Sequence, residues 1–302
     1  MIQYLKHDEI DFTKWDKCID KSNIHFEYPY SWYLKTTSPK FQALVLNDYD
    51  AVFPITSGRK ATVNYLFQPP FTQQLGLFGT DSGNYKLLNE FLKNIPEKFR
   101  LIDIQLHNAE VEIAKFKWRK RNNFMLQLNQ PYEKLQSKFN SQRFRDLKKA
   151  EKLKLQLSQF NSPEEFIRDY KRSPSFSKQK VEAKHLRILK QLMAESLINK
   201  KGKLFCVMNE KREKLAAMFC VVNSKSITNL VNFTYANAER SGAQTFLISE
   251  LIKQYCNANM LFDFEGSDLS GVASFYESFG SKNLSYRHLY CNRLPLLLRS
   301  FK

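Results

Sequence analysis

The sequence has no apolar run approaching the roughly 20 residues that a membrane span requires. Residues 294–298 are interrupted by Pro295, and the uninterrupted apolar run at 215–222 is only eight residues long. The first nine residues mix apolar with polar and charged side chains and contain no signal-peptide core. These absences predict a cytoplasmic protein. Paired cysteines are missing as well: Cys18, Cys206, Cys220, Cys256 and Cys291 are scattered, with no CxxC pair and no histidine at metal-ligand spacing. The expectation is structural thiols and no metal. Acidic residues are the scarce charge, 30 Asp and Glu against 47 Lys and Arg, for a net +17. That surplus favours a polyanionic partner, whether nucleic acid, a phosphorylated cofactor or an anionic membrane surface; a solvated basic surface kept for solubility is the alternative.

What is present suffices for a full core. A chain of 302 residues, 43% hydrophobic and 14% aromatic, has room for two domains. In the C-terminal half, residues 163–172 and 181–200 predict helices, the second with Leu186, Leu189, Met193 and Leu197 at helical spacing. Residues 203–208, 215–223 and 227–235 are rich in Val, Phe and Ile and are separated by short polar turns, which predicts an antiparallel meander. A helix over 243–257, a strand over 260–265, a short helix over 271–279 and a closing strand over 286–291 follow. The N-terminal half repeats this order in weaker form: helices at 12–22 and 30–35, a hairpin at 41–46 and 51–56, a helix at 85–95 and strands at 101–107 and 124–128. An internal structural repeat is the economical explanation. Between the halves, residues 131–154 contain no Gly, read as one helix, and carry eight basic residues against three acidic ones, a local net charge of +5. The domain boundary is expected at Gln130–Pro131.

The first candidate site runs from Phe233 through Thr234 and Tyr235 to Gln244. A strand delivers the chain to Arg240, Ser241, Gly242 and Ala243, where a helix begins and presents unpaired N–H groups and the positive end of its dipole. Such a terminus suits a pyrophosphate, with Gly242 allowing close approach and Arg240 adding charge; an ordinary polar loop has the same composition. The second candidate is Tyr276, mid-helix in Ala273-Ser274-Phe275-Tyr276-Glu277-Ser278-Phe279-Gly280. Alternation in residues 261–265 places Asp263 and Glu265 on one face, where a carboxylate could take a proton from an amine or simply cap or solvate. In the N-terminal half, residues 67–76 combine Pro69 and Pro70 with Gln68, Gln73 and Gln74, either a polar acceptor pocket or a rigid crossover. His107 and His288 sit in expected strands and need no catalytic role. Lys115-Phe116-Lys117-Trp118-Arg119-Lys120-Arg121 interleaves basic and aromatic residues, as single-strand nucleic-acid surfaces do; a charge-guarded hairpin edge does the same.

Tyr276-Glu277-Ser278-Phe279-Gly280, following a strand, resembles the late helix of the GCN5-related N-acetyltransferases (GNATs). The resemblance implies that Tyr276 protonates a leaving thiolate, and that Arg240, Gly242 and Ala243, with Phe233, Thr234, Tyr235 and Gln244 around them, hold an acyl-coenzyme A donor such as acetyl-CoA. The loop here is one residue shorter than the family pattern. The tandem arrangement and Arg143-Phe144-Arg145-Asp146-Leu147-Lys148-Lys149-Ala150-Glu151-Lys152 resemble the FemAB-like subgroup, whose members transfer an aminoacyl group from tRNA to an amine of a cell-wall precursor. The resemblance implies a mixed α/β fold of two tandem GNAT-like domains, each a mostly antiparallel mixed sheet flanked by helices. Residues 1–130 would form a degenerate acceptor-side domain with Gln73 and Gln74; residues 131–302 would carry the donor site, with Arg143 and Asp263 contacting substrate and Tyr276 and Glu265 doing the chemistry. The expected activity is N-acyl transfer from acyl-CoA to an amine. The alternatives are a FemX-like aminoacyl-tRNA-dependent transferase and a non-catalytic RNA-binding module.

Overall fold

A computed structural model describes residues 1–107, 116–179, 181–238 and 240–295. Lys115, Glu239 and residues 296–298, which figure in the sequence motifs above, lie outside them. The chain divides into two compact units, Met1–Arg121 with Ser285–Lys302, and Asn122–Leu284.

The first unit begins with β1 (Ile2–Leu5), α1 (Phe12–Asp20), α2 (Ser31–Thr37), β2 (Gln42–Leu46), β3 (Ala51–Ile55), β4 (Ser57–Lys60) and β5 (Val63–Phe67). It continues with β6 (Phe78–Gly79), α3 (Tyr85–Lys93), β7 (Phe99–Leu106) and β8 (Lys117–Arg121). Helix starts follow the side-chain chemistry: Asp11 accepts the N–H groups of Thr13 and Lys14, and Asn84 those of Lys86 and Leu87. Helix α3 buries Leu88, Phe91 and Leu92 against Phe53, Ile102 and Ile104. One sheet has the order β1-β2-β3-β6.

The second unit comprises β9 (Phe124–Gln127), α4 (Tyr132–Gln136), α5 (Ser141–Lys152), β10 (Gln156–Gln159), α6 (Pro163–Lys171), α7 (Pro174–Gln179) and α8 (Ala183–Ile198). Then come β11 (Gly202–Met208), β12 (Lys214–Val222), β13 (Ser226–Thr234), α9 (Ala243–Tyr255), β14 (Leu261–Asp263), α10 (Ser270–Glu277) and β15 (Lys282–Asn283). The expected meander is β11-β12-β13, antiparallel throughout, with a bulge between Phe219 and Cys220. The full sheet runs β10-β11-β12-β13-β14-β9-β15, and its core joins Phe205, Met218, Leu247, Leu251, Phe262 and Phe279. The last strand, β16 (Tyr286–Asn292), completes the first unit's second sheet, β4-β5-β7-β16-β8.

Three sequence expectations differ from this arrangement. The two closing strands are exchanged. The strand expected to finish the N-terminal half, β9, pairs with β14 and β15 of the second unit, and β16 pairs with β7 and β8 of the first. The unit division therefore falls at 121/122 and 284/285, whereas the sequence suggested Gln130–Pro131. Alternation marks a strand without naming its partner. The single helix expected over 131–154 is two, because Asn140 takes β-region dihedrals and its side chain accepts the Gln142 and Arg143 N–H groups, starting α5 anew. Finally, β14 stops at Asp263, and Glu265 has a left-handed φ of 58°, so the alternation that would put both carboxylates on one face ends between them.

Candidate functional site

Helices α5 and α9 of the second unit line an open cavity of about 200 Å³. The sequence around Gly242 dictates the close approach. Its φ of 76° is left-handed, and a Cβ there would lie 2.3 Å from the Asp146 carbonyl oxygen, so no other residue lets the start of α9 sit against α5. That start has no side-chain cap from Gly242; Ser241 Oγ accepts the Ala243 N–H at 3.1 Å. Among the described residues, the N–H groups of Gly242, Gln244 and Thr245 have no partner. They are the donors a helix N-terminus leaves unsatisfied.

Arg143, on α5, supplies the cation. It is 8% exposed, pairs with Asp146 at 3.1 Å and donates to Thr245 Oγ1 at 3.1 Å. Thr245 Oγ1 in turn donates to Asp146 Oδ2 at 3.1 Å, and the guanidinium lies 4.5 Å from the Phe275 ring centroid. Burial pushes the Arg143 pKa down, partly offset by Asp146; an arginine starts so high that it stays cationic. Its Nε is buried without a partner, as are both amide atoms of Gln244. Buried polar atoms are normally satisfied, so three orphans in two residues that line one pocket stand out.

The cavity brings together Arg143, Thr234, Arg240, Gly242, Ala243 and Gln244 from the sequence-predicted set. It does not take in Phe233, which is buried between Phe166 and Tyr170, or Tyr235, whose hydroxyl donates to Asp169 at 2.8 Å. The strand end alternates buried Phe233 with half-buried Asn232 and Thr234, but alternation does not say which side meets the cavity. Tyr235 belongs to an ion network in which Asp169 also accepts from Lys214 at 2.8 Å, and Lys214 bonds Glu165.

Tyr276 is 8% exposed and packs on Phe264, with ring centroids 5.1 Å apart, and on Phe124. Burial pushes its pKa up, an Asn232 hydrogen bond lowers it, and Glu265 and Asp263 raise it further. It does not line the cavity; the preceding Phe275 does. Asp263 is fully buried and accepts the Glu265 N–H at 2.8 Å. In the first unit, Gln74 is 4% exposed and donates to Gln73 Oε1 at 2.6 Å. Sequence reasoning missed Asp146, Thr245 and Phe275. The signal for the first two was available: Arg143 and Asp146 at i, i+3 on α5, and Thr245 in the first turn of α9. Among the described residues no group of three or more His, Cys, Asp or Glu could hold a metal ion, and no helix is long and apolar enough to cross a membrane.

No family model matches the sequence, and no curated protein is similar to it in sequence. Solved structures are similar in fold. FemX matches with a TM-score of 0.70 at 11% identity, covering 99% of each chain. The L-PGS of Bacillus licheniformis matches at 0.58 and 12% identity, over 95% of this chain and 93% of that one. A tandem GNAT protein from the clavulanic acid biosynthesis pathway matches at 0.53 and 6% identity, over 98% and 99%. The chain has the tandem GNAT-like, FemX-like fold: mixed α and β, with antiparallel and mixed sheets flanked by helices.

Proposed function

We propose that the protein is an N-acyltransferase whose second unit binds the donor through a phosphate seated in the Arg143–Gln244 cavity. The observation that carries this reading is the convergence of the buried, unpartnered Arg143 Nε with unpartnered N–H groups at the start of α9, in a space the size of one or two phosphates. In the reaction an amine nitrogen attacks the donor carbonyl carbon; a C–N bond forms and the C–S bond of a thioester, or the C–O bond of an ester, breaks. One proton leaves the amine and one reaches the departing thiolate or hydroxyl oxygen. Glu265, turned out of its strand, is the proposed acceptor, and Tyr276, kept a phenol by burial, the proposed donor.

The first reading of the donor is acyl-CoA. A second, aminoacyl-tRNA for an amine on a cell-wall precursor, is favoured by the loop's missing residue and by the Asp146 carboxylate in the cavity, which repels a pyrophosphate more than a single phosphodiester. Thermal shift with acetyl-CoA, longer acyl-CoA species and aminoacyl-tRNA separates them, since a ligand at a hundred times its Kd stabilises by about 2.7 kcal/mol. Transfer of labelled acyl group to an amine then tests the chemistry, and Tyr276→Phe should slow it by about 10²–10⁴-fold with donor affinity intact. Silence from every donor sinks the reading.

A further inference from the structure

The first unit has a larger cleft of about 690 Å³ that the donor site does not use. It lies on one face of the β4-β5-β7-β16-β8 sheet. Ile102 and Leu289 belong to the core on the opposite face, so the register brings Tyr65, Phe67, Asp103, His288 and Tyr290 out together. Edge strand β8 continues the same face: Lys117 lies opposite Tyr290 and Arg119 opposite His288. Three half-buried rings thus stand beside a basic edge.

Two details argue that the rings form a platform. Gly58, opposite Tyr65 on β4, has no Cβ, and one placed there would meet the Tyr65 Cζ and Oη at 2.6 Å, so the phenol is folded flat across the neighbouring strand. His288 is held too: Arg119 Nε donates to its Nδ1 at 3.1 Å, and its Nε2 bonds Asp103 Oδ1 at 2.5 Å, which fixes the ring from both sides. Guarding an edge strand requires charge alone. It does not require aromatic rings laid along the sheet with a glycine to seat one of them.

We infer that this face binds single-stranded nucleic acid, with bases stacked on Tyr65, Phe67 and Tyr290 and phosphates along Lys117 and Arg119. The chemistry is that of aromatic platforms flanked by a positive groove, and it is blind to the sugar. The second oxygen of Asp103, with no partner among the described residues, accepts from a base amino group, which offsets the presence of an acid beside phosphates.

Fluorescence anisotropy with a labelled mixed-sequence 12-nucleotide RNA, the same DNA, and an RNA duplex tests this on the whole chain. Both single strands should bind, the duplex more weakly because its bases are already stacked. Lys117→Glu, at an exposed position, should weaken binding and make its salt dependence shallower by about 0.7 in log–log slope, the value for one phosphate no longer neutralised. Tyr65→Ser should cost about 5- to 100-fold because one base no longer stacks. Gly58→Ala covers the case in which that variant misfolds: it displaces only the movable end of the Tyr65 ring and should weaken binding with the fold intact. Equal affinity for the duplex, indifference to Gly58→Ala and Tyr65→Ser, or competition by excess acetyl-CoA, which addresses the other unit, would each overturn the inference.

Discussion

The two units carry their polar chemistry in opposite settings. In the second, Arg143, Asp146 and Thr245 are largely buried side chains at the floor of a small open pocket beside α5 and α9, and Arg143 Nε and the Gln244 amide are buried with no partner among the described residues. In the first, Asp103, His288 and Arg119 stand on an open sheet face. Burial strengthens each interaction by lowering the local dielectric and raises the cost of every unpaired group, so a change to one member of the second cluster is felt by the others. Exposure leaves the charges of the first unit's face screened by water and salt. The glycines repeat the contrast: Gly58 makes room for a ring that can move, Gly242 for a backbone carbonyl that cannot.

The largest expected effect breaks the buried cluster. Arg143→Met leaves the Asp146 carboxylate, 14% exposed, without its buried partner, and should destabilise the protein by about 3–5 kcal/mol in denaturant unfolding. Adding Asp146→Leu should recover most of that loss while anion binding stays absent. If the double variant is no more stable than the single, the pair is not what holds α5 to α9. Next comes Gly242→Ala, expected to cost about 3 kcal/mol from left-handed strain together with the Asp146 carbonyl clash. Gly58→Ala should cost well under half of that; equal costs would erase the distinction between the two glycines.

A third effect is confined to the first unit. His107 stacks on Phe78 at 4.9 Å, bonds the Leu77 carbonyl through Nε2, and has its pKa pushed by burial from 6.5 down to about 4. The unfolded chain therefore binds a proton that the folded chain refuses. Its contribution is fully present above pH 6.5 and is lost as pH falls towards 4, by about 2 kcal/mol once solvent at the ring's rim is allowed for. His107→Gln should flatten the stability profile across that window. An unchanged slope would place the proton elsewhere.

Most of the element order was legible in the sequence, because helical stripes such as Leu247, Leu251 and Ile252 and the β-branched runs of β11 to β13 carry their own periodicity. The exchange of β9 and β16 was not, since four to seven apolar-alternating residues look alike in either sheet. The candidate site was legible where it rests on backbone geometry, at Gly242 and the first turn of α9. It was not legible where it depends on which face of a buried strand meets the cavity: Thr234 lines it, and its neighbours Phe233 and Tyr235 do not.

The smallest effect concerns how Arg143 comes to be placed. Asn140 Oδ1 accepts the Gln142 N–H at 3.0 Å and the Arg143 N–H at 3.1 Å, and the Asn140 N–H donates to the Ser278 carbonyl. The cap thus fixes both where α5 begins and which face it turns to α9. Asn140→Ala removes the side-chain acceptor and should cost about 1 kcal/mol, whereas Asn140→Asp, which keeps an acceptor and adds a charge that suits a helix start, should cost almost nothing. If the cap positions the cavity's arginine, Asn140→Ala also weakens anion binding by more than the small stability loss explains, and Asn140→Asp does not. Equal donor affinity in the two variants would mean that Arg143 is held by Asp146 and Thr245 alone.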